Sequence, residues 1–226
     1  MPFRTRRDIL PPAQKKLWPL LAPLKEMGYC LYGGTALALR FGHRQSMDFD
    51  FFTDRTLDRK TLETALPWFR SGTVLRAEPD THVLLAAVPR SRREVKVSFF
   101  GGLRIGRVDT PDLSDDGVIL VASVRDLLAT KLKALFDRVE PKDYLDIAEI
   151  LSRGGDLLQG LSDAGALFGK TFSPVECLRI LCWFGEPGLR SLPAVCRRTL
   201  EIRAKDAWNK QLPPSRKAAS SLTASG

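Results

Sequence analysis

Residues 33–52 read GGTALALRFGHRQSMDFDFF, and the fold follows from how this stretch is divided. TALALRFG reads as a short helix closed by Gly42, and MDFDFF alternates as a strand does. Successive side chains of a strand point to opposite faces. Asp48 and Asp50 therefore share one face, with Met47, Phe49 and Phe51 on the other. Two carboxylates so close repel each other. Either one takes a raised pKa, or a divalent cation joins them, as Mg²⁺ does when held by one or two carboxylates plus substrate phosphates. The Gly33–Gly34 turn lets backbone approach a ligand closely, and the helix that follows at Thr35 offers its N-terminus to phosphate. Ser46 and Arg44 are further candidates for phosphate contact. The plainer alternative is an edge strand with one solvated face behind a tight turn, where Ser46 caps the turn and Arg44 is a solvated loop charge.

Outward from this stretch, PPAQKKLWPLLAPLKEMG reads as a helix opened by proline and stopped by Gly28, with an internal proline that can kink it. YCLYGG is a short strand running into the glycine turn. Downstream, DRKTLETALPWF is helical, and TVLRAE, THVLLAAVP and REVKVSFF are strand-like. The character then changes. SVRDLLATKLKALFDR is an amphipathic helix with Ser123 placed to cap it, PKDYLDIAEILSRGG opens on Pro141, SPVECLRILCWFG repeats that pattern, and helices continue to about residue 210. The expected organisation is α+β: a mixed sheet with flanking helices over residues 1–121, a helical bundle over 122–210, and a tail over 211–226 with the composition of disorder.

With 226 residues, 44% of them hydrophobic and 27% charged, the chain can bury a sizeable core. No apolar run approaches the roughly 20 residues of a membrane span, and the N-terminus lacks a signal-peptide core, so the cytoplasm and no membrane association are expected. The four cysteines, at 30, 177, 182 and 196, show no CxxC spacing, and there are two histidines. A structural zinc site and a disulfide framework are disfavoured. The cysteines read as reduced core residues, with Cys177 and Cys182 on one helix. The net charge of +9 points to an anionic partner such as RNA, DNA or nucleotide, although part of the excess lies in RRTLEIRAKDAWNKQLPPSRK, where solvation suffices. No RNA-recognition or helix-turn-helix signature stands out.

On the helix from residue 123 the apolar stripe runs through Val124, Leu127, Leu128, Leu132, Leu135 and Phe136. Lys131 and Arg138 fall at its margin, and Lys133 and Asp137 on the far side. Two cations beside a buried face need anionic partners. A triphosphate would serve, and so would Asp143 and Asp146, three apart on the next helix. Asp143 lies in that helix's first turn, where a carboxylate also suits the helix dipole.

Taken in order, these motifs resemble the signature of the nucleotidyltransferase superfamily, and more closely that of the AbiEii/AbiGii toxin family: a glycine pair, a helix, Asp48-hydrophobic-Asp50, then Lys131-Leu132, five residues, Arg138, and an aspartate in KDYLDIAEIL. The likeness covers residues 30–152. It implies a nucleotidyltransferase fold with an appended helical domain. It also implies transfer of a nucleotide from an NTP to an acceptor, tRNA or other RNA, with Mg²⁺ or alternatively Mn²⁺. The enzyme would be the toxin of a toxin–antitoxin or phage-defence pair with a cognate antitoxin protein. On this likeness Asp48 and Asp50 are catalytic and hold the metal, and Lys131 and Asp146 are catalytic. Gly33, Gly34, Thr35, Arg44, Ser46 and Arg138 bind the nucleotide. Asp146 would orient Lys131 or help the acceptor hydroxyl lose its proton. One departure stands out. Many nucleotidyltransferases carry a third carboxylate on a later strand, and here REVKVSFF has Ser98 at about that place, with Lys96 and Glu94 on the same face. Two carboxylates suffice, or Glu94 or an aspartate elsewhere completes the site, or the enzyme is weakened. A non-catalytic nucleotide- or RNA-binding member of the same fold is the alternative, and a plain RNA- or DNA-binding protein is a third reading.

Overall fold

A computed structural model describes residues 3–223. The chain divides into two compact units. One is Met1–Gly106 with Thr110–Ser123 and Ala219–Gly226, and the other is Arg107–Asp109 with Val124–Ala218.

In the first unit, prolines break the N-terminal helical run that the sequence pattern joins. It becomes α1 (Pro12–Leu17), a 3-10 turn (Trp18–Leu21) and α2 (Pro23–Glu26), because Pro19 and Pro23 cannot donate to a continuous ladder. β1 (Cys30–Tyr32), α3 (Gly33–Phe41) and β2 (Asp48–Phe52) follow as the glycines and the alternation require. Gly42 closes α3 at φ 66°, donating its N–H to the Ala38 carbonyl at 2.8 Å. Asp58 caps α4 (Arg59–Ala65) through the N–H groups of Lys60 and Thr61. Pro67 ends that run and opens α5 (Pro67–Arg70). β3 (Thr73–Glu78), β4 (Thr81–Ala86) and β5 (Val95–Phe100) form an antiparallel meander. β6 (Asp112–Leu113) and β7 (Leu120–Val121), two residues each, are too short to show periodicity in the sequence.

The seven strands make one mixed sheet in the order β3-β4-β5-β2-β1-β7-β6. β2 runs parallel to β5 and antiparallel to β1, and β1 runs parallel to β7. One face is an aromatic core. Phe51 and Phe99 stack at 5.7 Å, Tyr29 meets Phe99 edge-on at 5.4 Å, and Trp18 lies 6.3 Å from Phe49. α1 packs on β5, α5 on β4, and α3 on β1 and β2. The side chain of Arg40, near the end of α3, is 7% exposed; it donates to the Ala122 carbonyl at 2.6 Å and pairs with Asp112 at 2.7 Å, tying α3 to the β6–β7 end of the sheet. The opposite edge strand, β3, is exposed along its length, and a bulge between Val74 and Arg76 leaves Val74 and Leu75 both in solvent.

The second unit contains α6 (Val124–Asp137), α7 (Pro141–Ser152), α8 (Leu157–Phe168), α9 (Pro174–Leu181) and α10 (Ala194–Ala207). α6 packs on α7, α8 and α9, and α10 packs on the same three. α8 approaches α6 at Gly160, where a Cβ would stand 2.5 Å from Leu128 Cδ2. Lys133 and Asp137 pair at 2.9 Å on the outer side of α6, as the helical spacing predicts. No disulfide links the cysteines among the described residues. Cys30, Cys177 and Cys196 are buried, whereas Cys182, read as a core residue, is exposed just past the end of α9. The stretch 211–226, whose composition suggests disorder, is described as far as Thr223; residues 224–226 lie outside the described residues. Within it Ser162 donates to the Pro213 carbonyl, Ser215 donates to Asp163, and the Ala218 N–H donates to Arg107 at 2.8 Å. Beyond these, Leu222 is fully buried in the first unit. No helix among the described residues is long and apolar enough to cross a membrane.

Candidate active site

The face of the sheet away from the aromatic core carries the carboxylates. The parallel register places Asp48 beside Lys96 and Asp50 beside Ser98, while Tyr32 of β1 lies on the other flank of Asp50. Phe52 shares this face and stacks on Tyr32 at 4.6 Å, an aromatic floor next to the acids. Met47, expected to fill the core face, precedes β2 and is 58% exposed, because the strand starts one residue later than the alternation suggests.

The glycine pair lies directly against these groups. Gly33 has φ +74°, and a Cβ there would sit 2.5 Å from Asp50 Oδ2. A Cβ on Gly34 would sit 2.5 Å from a guanidinium nitrogen of Arg44 and 3.0 Å from the Ser46 hydroxyl. Thr35 donates its hydroxyl to the Asp48 carbonyl, fixing the first turn of α3 to the start of β2. No side chain caps α3 at Tyr32, so its first N–H groups are directed where an anion is favoured. The sheet unit thus brings together Gly33, Gly34, Thr35, Arg44, Ser46, Asp48 and Asp50. Ser46 precedes β2 and reaches the site over Gly34 rather than along the strand.

Gly33→Ala is expected to cost about 1–2 kcal/mol from the left-handed backbone alone, and in addition to displace the Asp50 carboxylate. Gly117→Ala is the control, since Gly117 has a similar φ of +73° with no atom within 4 Å of its Cβ position. Thermal unfolding of both variants should show a larger drop at Gly33, and nucleotide binding should be lost only there.

The expected third carboxylate is not beside Asp50. Ser98 occupies the place and is 2% exposed. Glu94 precedes β5 and is exposed. Among the described residues, no group of three or more His, Cys, Asp or Glu side chains is clustered for a metal. The donor set is therefore two carboxylates on one strand face beside a backbone turn. That set fits Mg²⁺, which takes few protein ligands and completes its shell with phosphate and water, better than a cation needing an all-protein cage.

The helical unit gathers its own charges. Lys131 Nζ lies 2.6 Å from Asp143 Oδ1 and 2.8 Å from Asp146 Oδ2, and the Lys131 side chain is 6% exposed. Arg138 donates to Asp143 at 2.9 and 3.3 Å and lies 3.7 Å from Glu140. Both aspartates are fully buried. Of the two kinds of partner open to Lys131, the carboxylates are engaged. At 2.8 Å from Lys131 Nζ, Asp146 is placed to orient that ammonium. Sequence reasoning missed a further buried acid here: Asp163 takes a bidentate contact from Arg125 at 2.7 and 2.9 Å and another from Gln159 at 2.9 Å. Its only sequence signal is an acid on the apolar side of α8.

Burial pushes the Asp143 carboxyl upward, but the Arg138 hydrogen bond and the Lys131 charge outweigh it, and the pKa falls below the usual carboxylate range. A depressed folded pKa gives stability that is complete above the unfolded value, about 3.9, and is lost as pH falls through the folded value. Denaturant midpoints should therefore drop below about pH 4, and the drop should shrink in Asp143→Asn.

A family model described as nucleotidyl transferase AbiEii toxin, type IV TA system, matches residues 20–214. An uncharacterized protein of Aquifex aeolicus (strain VF5) is 30% identical over 141 residues; the match covers 60% of this chain and spans 65% of that relative's length. MenT4, a nucleotidyltransferase toxin of Mycobacterium tuberculosis H37Rv, has a similar fold, with a TM-score of 0.59 and 15% identity over 85% of this chain and 82% of that one. An H. pylori protein described as a nucleotidyltransferase gives a TM-score of 0.55 and 16% identity over 86% of this chain and 92% of that one. At these identities the two structures speak to the fold, which is the nucleotidyltransferase-like α+β architecture.

Proposed function

This chain belongs to the AbiEii family of nucleotidyl transferase toxins of type IV toxin–antitoxin systems, and we propose accordingly that it moves a nucleotide from an NTP to an RNA acceptor with Mg²⁺, under the control of a cognate antitoxin in the cytoplasm. That it is a nucleotidyltransferase rests on the family; the donor, metal and acceptor are our reading. The observation that carries it is the fit of Gly33 to Asp50: a Cβ there would stand 2.5 Å from Asp50 Oδ2, so only glycine lets the turn lie directly against the carboxylate. Mg²⁺ held by Asp48 and Asp50 would supply Lewis-acid polarisation of a phosphoryl oxygen. The chain's own groups supply the rest. The N–H groups at the start of α3, the Ser46 hydroxyl and the Arg44 guanidinium hold the phosphates. Thr35 keeps β2 in place against that turn. An acceptor hydroxyl oxygen then bonds to the α-phosphorus as the bond to pyrophosphate breaks, with the hydroxyl proton passing to water. The net charge of +9 favours an RNA acceptor and makes its binding salt-sensitive.

Purified protein incubated with each α-labelled NTP, Mg²⁺, tRNA and a protein mixture tests this directly. Label on tRNA from one preferred NTP is the expected result; label on protein alone would sink the RNA assignment. A second reading, a nucleotide-binding member without turnover, is favoured by Ser98 at the third carboxylate's place. Tight NTP binding with no transfer to any acceptor would support it.

A further inference from the structure

On the carboxylate face of β5 stands a cation that the motif does not contain. Lys96 lies beside Asp48 in the parallel register, with Nζ 3.3 Å from Asp48 Oδ2. Alternation along β5 puts it on the same face as Ser98, and hence beside Asp48 and Asp50. Its side chain is 42% exposed and its ion pair with Asp48 is long. Lys131 differs on both counts: it is buried and engaged by two carboxylates at shorter distances. The ammonium that is partly solvated, loosely held and adjacent to the proposed metal ligands is therefore Lys96.

We propose that Lys96 binds the triphosphate of the incoming nucleotide, and that before the nucleotide arrives it occupies Asp48 in competition with the metal. The proposal rests on the nucleotidyltransferase site described above and deepens it. On the strand face Lys96 offsets one of the two carboxylates, and the Arg44 guanidinium stands close by over Gly34, so these acids attract a cation less strongly than they would with a third carboxylate at position 98. A divalent cation alone is thus held weakly. A metal–triphosphate complex is held well, because Lys96 can leave Asp48 for a phosphate oxygen while the metal takes the carboxylate. Metal and nucleotide then strengthen each other's binding, and by linkage the coupling is reciprocal. Ser98 beside Asp50 belongs to the same arrangement: a third acid there would hold Lys96 on the strand and away from the nucleotide.

The test uses the full chain, Mn²⁺ followed by electron paramagnetic resonance, and an NTP analogue with a non-hydrolysable α–β bridge. In the wild type the analogue should tighten Mn²⁺ binding. In Lys96→Gln, Mn²⁺ alone should bind up to about fivefold more tightly, since an exposed competing ion pair is removed. The analogue should bind about tenfold or more weakly, since a charge-assisted contact is lost, and the coupling between the two ligands should shrink. Lys96→Arg should restore much of the analogue affinity. These opposite signs exclude a merely structural role, which would weaken both ligands together with the thermal midpoint. Unchanged analogue affinity in Lys96→Gln, or a parallel loss of both ligands, overturns the proposal while leaving the nucleotidyltransferase site in place. A wild-type chain that binds no analogue in the presence of Mn²⁺ overturns the site itself, and the proposal with it.

Discussion

Asp48→Asn is expected to lower nucleotide transfer by about 10³-fold, on the order of 4 kcal/mol in the barrier, with the stability of the chain nearly unchanged. Asparagine keeps the shape and size of the side chain, and Asp48 is partly exposed, so no core packing is disturbed. The Lys96 pair it loses is solvated and long, and such pairs contribute roughly 0–1 kcal/mol. What disappears is the charge that would hold a metal on this face. Asp50→Asn should behave alike, since Asp50 shares the face and lies against Gly33. Initial rates of label transfer, set beside urea unfolding of the same preparations, give the comparison. Transfer within about threefold of wild type, less than 1 kcal/mol in the barrier, would remove Asp48 from the site.

The largest effect on stability should come from Lys131→Met. It leaves the fully buried Asp146 carboxylate without the ammonium now 2.8 Å away, and Asp143 with Arg138 as its remaining cation. Breaking a buried pair from one side typically costs about 3–5 kcal/mol. The double variant Lys131→Met/Asp146→Leu removes charge in balance, keeps the Arg138–Asp143 pair and should recover most of that loss. Denaturant midpoints of the two variants decide the matter. A single variant as stable as wild type would mean that solvent reaches the cluster and that Lys131 is not locked. If the double variant regains stability but not transfer, Lys131 or Asp146 contributes to the reaction beyond holding α6 to α7.

The parts of the fold governed by neighbours in sequence could be read directly. Gly33, Gly42 and the DFDF alternation mark β1, α3 and β2 because left-handed turns and period-two faces are local properties. Pro141 marks the start of α7 for the same reason. The partners of Lys131 were among those named, because Asp143 and Asp146 follow it on the adjoining helix. The Lys96–Asp48 contact was not legible. The two residues are 48 apart and meet only through the β2–β5 register, which no local pattern sets. Ser98 could be suspected as the substitute for a third acid, but its alignment with Asp50 needed that register too. The break at Pro67 was obscured by an apolar spacing that continues across it, whereas the N-terminal helix was read as kinked by an internal proline and is in fact divided.

Because Ala219–Gly226 belongs with the sheet unit and Arg107–Asp109 with the helical one, neither unit is an uninterrupted stretch of chain. On the ribosome the unit that bears the carboxylates lacks the segment with the fully buried Leu222 until the helical unit has been translated. Nascent chains stalled before that point would carry Asp48 and Asp50 in an unfinished scaffold, so the sheet unit is completed only after the helical unit has been made. Cutting the gene between residues 123 and 124 would likewise yield two incomplete fragments rather than two independent domains.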